Sequence, residues 1–207
     1  IEFITFASRG DATVFGTMAS SITNGASSAS DSTRGLLFGG YAAPATLNVI
    51  QYITMASSGN GVDFGDLSVT GNSSAFSSPT RAIGVHNGSN TMSYVTISTL
   101  GNAADFGDST ISAGHRAWGS NAVRGVSFGA ELNPSGAKTN VIEFATIATL
   151  GNAQDFGDTI QSAIAEGSTM TSETRAVYCG GITPSGTNVI QYVQIMTTGN
   201  AADFGDL

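Results

Sequence analysis

Short apolar segments separated by glycine, serine, threonine and asparagine recur along the whole chain. One of them, residues 48–55, has the sequence NVIQYITM. In a strand, Ile50 and Tyr52 would lie on one face and Val49 and Ile53 on the other. Both faces are apolar, whereas a sheet with one solvated face alternates apolar and polar residues. The pattern therefore predicts strands that neighbouring sheets cover on both sides.

Three motifs recur in a fixed order. A Thr-Arg-Gly-like motif leads into an apolar run, the Asn-Val-Ile-like segment follows, and Gly-Asn-x-x-Asp-Phe-Gly-Asp comes last. The last motif begins at four glycines, Gly59, Gly101, Gly151 and Gly199. A diverged copy, GDATVFGT, begins at Gly10, after a shortened Asn-Val-Ile segment, IEFITF. Such regular recurrence indicates internal duplication.

The period of these motifs favours a repeat built from strands. A period of roughly 42 to 50 residues is typical of propeller blades and of kelch and WD40 repeats, while TPR and ankyrin repeats are shorter and helical. No segment has a sustained helical apolar period. We therefore predict an all-β fold, a β-propeller-like array of about four to five blades. Each blade would be an antiparallel four-stranded repeat, with a Ser-rich first strand in regions such as 22–30 and 160–169.

The repeats predict a single repeat domain over residues 1–207. It would hold a half unit followed by four whole units, at residues 1–17, 18–66, 67–108, 109–158 and 159–207. The half unit lacks its first two strands, so a closed five-bladed ring would be incomplete. Either one blade stays a half blade, or the chain belongs to a longer array, or a partner supplies the missing strands. We favour the longer array.

Charge and composition exclude several classes of partner. The net charge is −8, which disfavours nucleic acid and anionic membrane surfaces. No apolar run approaches the roughly 18 residues of a membrane span, so we expect no membrane insertion. The single cysteine, Cys179, rules out an intrachain disulfide framework or a cysteine zinc site. Two Asn-x-Ser sequons, at Asn72 and Asn87, arise easily by chance in a chain this rich in serine.

The aspartates of the Asp-Phe-Gly-Asp motif have two interpretations. Aspartates stabilise tight turns through their side chains, and this structural role is the favoured one. The alternative is calcium, which takes carboxylate oxygens, although the spacing matches no EF-hand loop. The eight residues are Asp63, Asp66, Asp105, Asp108, Asp155, Asp158, Asp203 and Asp206. The intervening phenylalanines, Phe64, Phe106, Phe156 and Phe204, are expected to be core anchors.

One arginine recurs in each Thr-Arg-Gly-like motif. We expect each to pair with an aspartate of its own or an adjacent unit, because the guanidinium group binds carboxylates in bidentate fashion. Binding of an anionic sugar or a phosphate is the alternative. The four residues are Arg34, Arg81, Arg124 and Arg175.

Residues outside the repeat pattern offer little chemistry. Cys179 occupies a position that is apolar in every copy, so we expect a buried small hydrophobic residue. His86 and His115 belong to no visible catalytic triad or metal set. Trp118 and Phe76 are candidate surface contacts, with core packing as the alternative. We therefore expect no catalytic site, no metal site and no cofactor.

The motifs TRG-x-x-FGG, NVI-E/Q-F/Y and GN-x-x-DFGD resemble repeats of tail-fibre and other virion structural proteins of tailed bacteriophages, especially those of marine cyanobacteria. The Gly-Gly after an apolar strand is also similar to a kelch motif, although the usual kelch tryptophan is absent. The resemblance implies a virion-surface or appendage protein.

Two function classes follow, and neither is enzymatic. The first is a structural and adhesive module of a phage tail fibre or similar extracellular appendage, located on the virion or outside the cell. Its partners would be other virion proteins, possible host-surface glycans and further copies in a larger assembly. The alternative is a multivalent propeller lectin with carbohydrate sites between its blades, whose avidity would multiply weak binding.

Overall fold

The computed structural model describes residues 1–71 and 73–207, and all of the regular secondary structure within them is β-strand. One of the two sequons, Asn72, lies outside the described residues. None of the described residues belongs to a helix long and apolar enough to cross a membrane. The prediction of an all-β fold is confirmed.

The strands form one hairpin and four groups of four, which we call units 1 to 5 and which include their connecting turns. Unit 1 contains β1 (Glu2–Phe3) and β2 (Thr13–Val14). Unit 2 contains β3 (Ser27–Ser30), β4 (Arg34–Ala42), β5 (Ala45–Thr54) and β6 (Val62–Asp66). Unit 3 contains β7 (Ser73–Ser77), β8 (Arg81–His86), β9 (Ser89–Thr96) and β10 (Ala104–Gly114). Unit 4 contains β11 (Ala117–Ser120), β12 (Arg124–Leu132), β13 (Lys138–Thr146) and β14 (Gln154–Asp158). Unit 5 contains β15 (Ser168–Thr171), β16 (Arg175–Cys179), β17 (Val189–Gln194) and β18 (Ala202–Asp206).

Within each whole unit the four strands pair in chain order as an antiparallel meander, and we call them strands A to D. Pairing of Ala113 with Leu132 and of Gly114 with Glu131 joins units 3 and 4 into one eight-stranded sheet. The antiparallel prediction is confirmed. No sheet among the described residues is closed, so a closed ring and its number of blades stay predictions.

The Ser-rich strands are shorter than the regions named for them. Strand β3 occupies only residues 27–30 of the region 22–30, and β15 begins at Ser168, near the end of the region 160–169. The backbone N–H of Ile160 donates to the Gln191 side chain instead of a neighbouring strand. A side-chain hydrogen bond of this kind gives a backbone N–H group its partner without pairing to a neighbouring strand.

The core lies between neighbouring sheets. Three buried apolar clusters fill the spaces between units 2 and 3, units 3 and 4, and units 4 and 5. In the first, for example, Leu36 and Phe38 of unit 2 lie with Val95 and Ile97 of unit 3. Each whole unit in the middle of the chain therefore buries both of its faces, as the two apolar faces of residues 48–55 predict.

Candidate functional site

Successive units are joined by the same set of three hydrogen bonds, which we call the junction. Between units 2 and 3, the N–H of Gly101 donates to the Phe64 carbonyl at 2.9 Å and that of Ala103 donates to the Asp66 carbonyl at 2.8 Å. The side-chain oxygen of Asn102 accepts the Asp66 N–H at 3.0 Å. The turn that follows strand C thus forms hydrogen bonds with the backbone N–H and carbonyl groups along the outer edge of strand D in the preceding unit.

The other three junctions repeat this geometry. The turn N–H donors lie 2.7–2.9 Å from carbonyls of strand D or, in unit 1, of Phe15 and Thr17 just after β2. The donors belong to Gly59, Gly61, Gly151, Ala153, Gly199 and Ala201. The asparagine oxygens of Asn152 and Asn200 accept strand D amides at 3.0 Å, and that of Asn60 accepts the Thr17 amide at the same distance. The Gly-Asn motif is therefore the element that attaches each repeat to the one before it.

The glycine of Asp-Phe-Gly-Asp leaves room for this turn. A Cβ atom on Gly107 would lie 2.5 Å from the Gly151 carbonyl carbon and oxygen. The φ angle of Gly107 is +138°, which residues with side chains rarely adopt. Only glycine allows the backbone of the next unit to approach so closely.

The motif aspartates lie on strands, so their interpretation as turn residues is wrong. All eight fall within the D strands β6, β10, β14 and β18. A register shift in strand D places Gly65 opposite Ile50 and Asp63 opposite Gln51, which leaves Phe64 as the extra residue of a bulge. The backbone groups of the second aspartate, Asp66, rather than its carboxylate, contribute to the junction. None of the eight belongs to the group of described side chains whose donor atoms converge closely enough to share a metal ion.

All four arginines lie over aromatic rings, and three of them also donate to carbonyls of the following unit. None of the four forms an ion pair among the described residues, so the expected pairing with an aspartate of the same or an adjacent unit is wrong there. Arg34 donates to the Ile97 carbonyl of the following unit at 2.6 Å. Its guanidinium lies 4.8 Å from the centre of the Tyr52 ring. Arg81 and Arg124 repeat both contacts. Because carbonyl oxygens of the next unit lie within reach, the guanidinium needs no carboxylate.

The motif phenylalanines divide into two environments. Phe64, Phe106 and Phe156 have exposed fractions of 3%, 2% and 2%, and each lies in a cluster with apolar residues of the following unit. Phe204, in the last unit, is 55% exposed. Burial of this side chain therefore depends on the unit that follows.

Phe76 and Trp118 are core residues, and their interpretation as surface contacts is wrong. Both are buried, and their rings stack with centroids 4.6 Å apart and planes at 16°. They come from the A strands of units 3 and 4, where facing sheets bring equivalent strands together. Stacked aromatic rings of this kind stabilise a packed interface.

The remaining single residues have structural surroundings. Cys179 is half-buried on β16 and lies opposite Ile190. His86 is buried, and its Nε2 lies 3.0 Å from the Ser93 hydroxyl. Burial lowers the pKa of His86 below its ordinary value.

A buried polar position in strand C escaped the sequence analysis. It is the residue after Asn-Val-Ile, and it is Gln51, Ser93, Glu143 or Gln191 in the four whole units. Gln51 and Gln191 accept a backbone N–H from the segment that connects one unit to the next, and Glu143 accepts that of Thr110 in β10. The sequence does contain a signal for this position, because the same place in each otherwise apolar strand C has a polar residue.

Unit 4 contains a charged version of this position. The buried Glu143 carboxylate lies 3.6 Å from the guanidinium of buried Arg116 and also accepts the N–H and hydroxyl of Thr110 at 2.7 Å. Arg116 in turn donates to the Ser109 hydroxyl. Burial lowers the pKa of Arg116, and the Glu143 charge opposes that shift.

One group of side chains has the donor atoms that a metal ion could use. The donor atoms of His115, Glu131 and Glu166 lie within 4.8 Å of one another. His115 and Glu166 are exposed, and Glu131 lies 3.8 Å from the Lys138 ammonium. The lysine therefore competes for a carboxylate of this group.

Two open clefts lie beside this group. One, of about 310 Å³, is lined by residues that include Asn87, His115 and Asn133. The other, of about 500 Å³, is lined by residues that include Lys138, Gln161 and Thr183. The residues that line the two clefts are mostly of different types. The junctions, in contrast, repeat the same residues from unit to unit.

The sequence matches no protein-family model, and no curated protein is significantly similar to it.

Proposed function

We propose that this chain is a structural and adhesive module of a phage tail fibre or a similar extracellular appendage. The observation that carries the proposal is the junction, which recurs at four places with the same hydrogen bonds. The recurring glycine, asparagine, phenylalanine and arginine are used to pack one unit onto the next. A residue set that is used for packing at every repeat suits a scaffold, and the proposal gives the chain no catalytic role.

Adhesion would use the parts of the chain that do not recur. The turns at the edge of units 3 to 5 line the two clefts, and their residues differ from unit to unit. A scaffold with varied edges can present different contacts on a constant body. The partners would be other virion or appendage proteins, or a glycan of a host surface.

Immunogold electron microscopy tests this proposal. An antibody against the chain is applied to intact particles and cells of the source. We expect labelling along a tail or surface appendage. Labelling confined to the cell interior, or to soluble protein free of any assembly, would overturn the proposal.

The second candidate is the multivalent lectin, and the two open, partly polar clefts are the observation that favours it. A lectin of this kind requires several equivalent sugar sites in the isolated chain. Glycan-array screening followed by calorimetry distinguishes the candidates. Saturable binding of one glycan at several equivalent sites favours the lectin, while the unlike linings of the clefts lead us to expect none.

A further inference from the structure

Three side chains with metal-ligating atoms meet at the connections that lead into units 4 and 5. The donor atoms of His115, Glu131 and Glu166 lie within 4.8 Å of one another. His115 lies between β10 and β11, Glu131 lies on β12, and Glu166 lies between β14 and β15. The three residues are distant in the sequence, and the folding of successive units brings them together.

The backbone fixes the relative positions of these residues. Gly114, which precedes His115, pairs with Glu131 across strands β10 and β12. The N–H of Glu166 donates to the His115 carbonyl at 3.2 Å. Only side-chain rotation is then needed to close the three donor groups around an ion, and His115 and Glu166 are exposed and free to rotate.

The repeat gives His115 and Glu166 the same position in successive units. Each lies two residues before strand A, where unit 2 has Gly25. The φ angles are +53° for His115, +64° for Glu166 and +70° for Gly25. Glycine adopts such angles readily, whereas residues with a side chain seldom do. Units 4 and 5 therefore have two ligating residues at a place where the backbone favours glycine.

Glu131 is a third departure from the repeat. Seven residues after the recurring arginine, the other whole units have Tyr41, Gly88 and Ile182. A carboxylate at this position is therefore particular to unit 4, which lies between the connections that carry His115 and Glu166. Three substitutions at two repeat positions thus converge on one point, and the packing of the units requires none of them.

The chemistry of the three donor groups suits a divalent transition metal such as zinc. Imidazole nitrogen and carboxylate oxygen bind zinc at about 2.0–2.2 Å, and three protein ligands leave one tetrahedral position open. Ligands in that geometry are about 3.3–3.6 Å apart, so the donors close in from separations of up to 4.8 Å. The imidazole disfavours calcium, which takes oxygen ligands. The cleft of about 310 Å³, lined in part by His115 and Glu131, gives water access to the open position.

We propose that His115, Glu131 and Glu166 bind one divalent transition-metal ion, with water at the fourth position on the side of the cleft. The ion joins the connection into unit 4 to the connection into unit 5. The Lys138 ammonium, 3.8 Å from the Glu131 carboxylate, moves away when the metal binds. Its flexible stem allows this movement, so the lysine weakens the site without blocking it.

Isothermal titration calorimetry with Zn²⁺ on the 207-residue chain, first freed of metal with a chelator, tests the proposal. The wild-type chain should bind one Zn²⁺. His115→Gly and Glu166→Gly should each weaken binding by at least about 100-fold, since residues that merely support a ligand contribute about 10–100-fold. Both variants should keep the fold, because unit 2 has glycine at this position. Glu173→Gln, which removes an exposed carboxylate outside the group, is the control and should bind like the wild type.

The two histidines allow a second measurement, by NMR. Zn²⁺ should shift the imidazole signals of His115 and leave those of buried His86 unchanged. Lys138→Gln should bind Zn²⁺ more tightly than the wild type, because it removes the competing cation. Glu131→Gln should bind it more weakly, because it removes a ligand.

The absence of saturable binding would overturn the proposal. So would binding that survives His115→Gly or Glu166→Gly, or His115 signals that Zn²⁺ leaves unchanged. An affinity that is unchanged in Lys138→Gln or in Glu131→Gln would contradict the place of Glu131 in the site.

Discussion

At the scale of single residues, the most constrained position is the glycine of Asp-Phe-Gly-Asp. Its backbone has a positive φ angle, and the next unit occupies the place of a side chain. The two constraints can be studied separately. Gly107 has both the positive φ angle and the close contact with the next unit, whereas Gly205 has only the positive φ angle. Comparing alanine substitutions at Gly107 and Gly205 therefore separates the energetic cost of the lost contact from the cost of backbone strain.

The change Gly107→Ala should therefore cost more stability than Gly205→Ala. Backbone strain should lower the free energy of unfolding by about 1–3 kcal/mol in both variants. The clash with Gly151 should cost Gly107→Ala about 1–3 kcal/mol more. Urea denaturation in dilute solution measures both, and equal losses would mean that the turn does not dock there.

The buried ion pair of unit 4 is a second residue-scale case. Arg116→Ala leaves the Glu143 carboxylate buried without its partner, and we expect a loss of about 3–5 kcal/mol in the free energy of unfolding. The double change Arg116→Ala with Glu143→Gln should recover most of this loss, since Gln51 and Gln191 hold the same position without an arginine. Thermal unfolding of the double variant checks this, and no recovery would contradict the assigned role.

His86 makes the stability depend on pH. Burial holds its pKa below the ordinary value, so the unfolded chain binds a proton more tightly than the folded one. This contribution to stability is complete above the unfolded pKa of about 6.5 and is lost as the pH falls below it. His86→Gln should flatten the decline in melting temperature between about pH 7 and about pH 5, and equal slopes in the two proteins would contradict the assignment.

At the scale of elements, the junction joins a turn to the edge of a strand. The Asn152 side chain accepts the Asp108 N–H at 3.0 Å and completes the set of three bonds. An edge strand left open would offer these groups to other chains. The asparagine therefore both attaches the next unit and closes the edge.

Asn152→Ala should lower the free energy of unfolding by about 0.5–1.5 kcal/mol, because one strand amide loses its acceptor. Hydrogen exchange of the Asp108 amide should accelerate in this variant. Asn152→Asp keeps an acceptor oxygen and is the matched control. If alanine and aspartate at this position have the same effect, the side-chain bond contributes nothing.

The sequence predicts strands and their order but not the junction. The apolar faces of residues 48–55 are enough to predict covered sheets, and the motif spacing predicts repeats. The junction uses backbone N–H and carbonyl groups of strand D, and these are the same for every residue type. For this reason the aspartates attracted interpretations as turn or calcium residues, while the neighbouring glycine and the distant asparagine define the contact.

The surface role expected for Phe76 and Trp118 failed for a related reason. Both stand outside the repeat pattern, which suggested a special function. The structure stacks them on each other between units 3 and 4. A sequence without its three-dimensional neighbours cannot show that two unusual residues fill one space.

At the scale of the whole molecule, the chain is a series of sheets in which each unit contacts its neighbours through the same junction. Stability in such an array is the sum of the units and their nearest-neighbour contacts. The two end units have one uncovered face each, and Phe6 and Phe204 are the most evident residues on them. The protection of equivalent residues should therefore differ between the middle and the ends.

Residue-resolved amide hydrogen exchange on the 207-residue chain in dilute solution tests this account most directly. The junction amides of Gly101, Ala103 and Asp66 should be strongly protected, and so should their equivalents in the other internal junctions. The matching amides at the ends, of Gly10, Ala12 and Asp206, should exchange at nearly the rate of an unstructured chain. Equal exchange at the internal and end positions would contradict the docking of each repeat on the one before it.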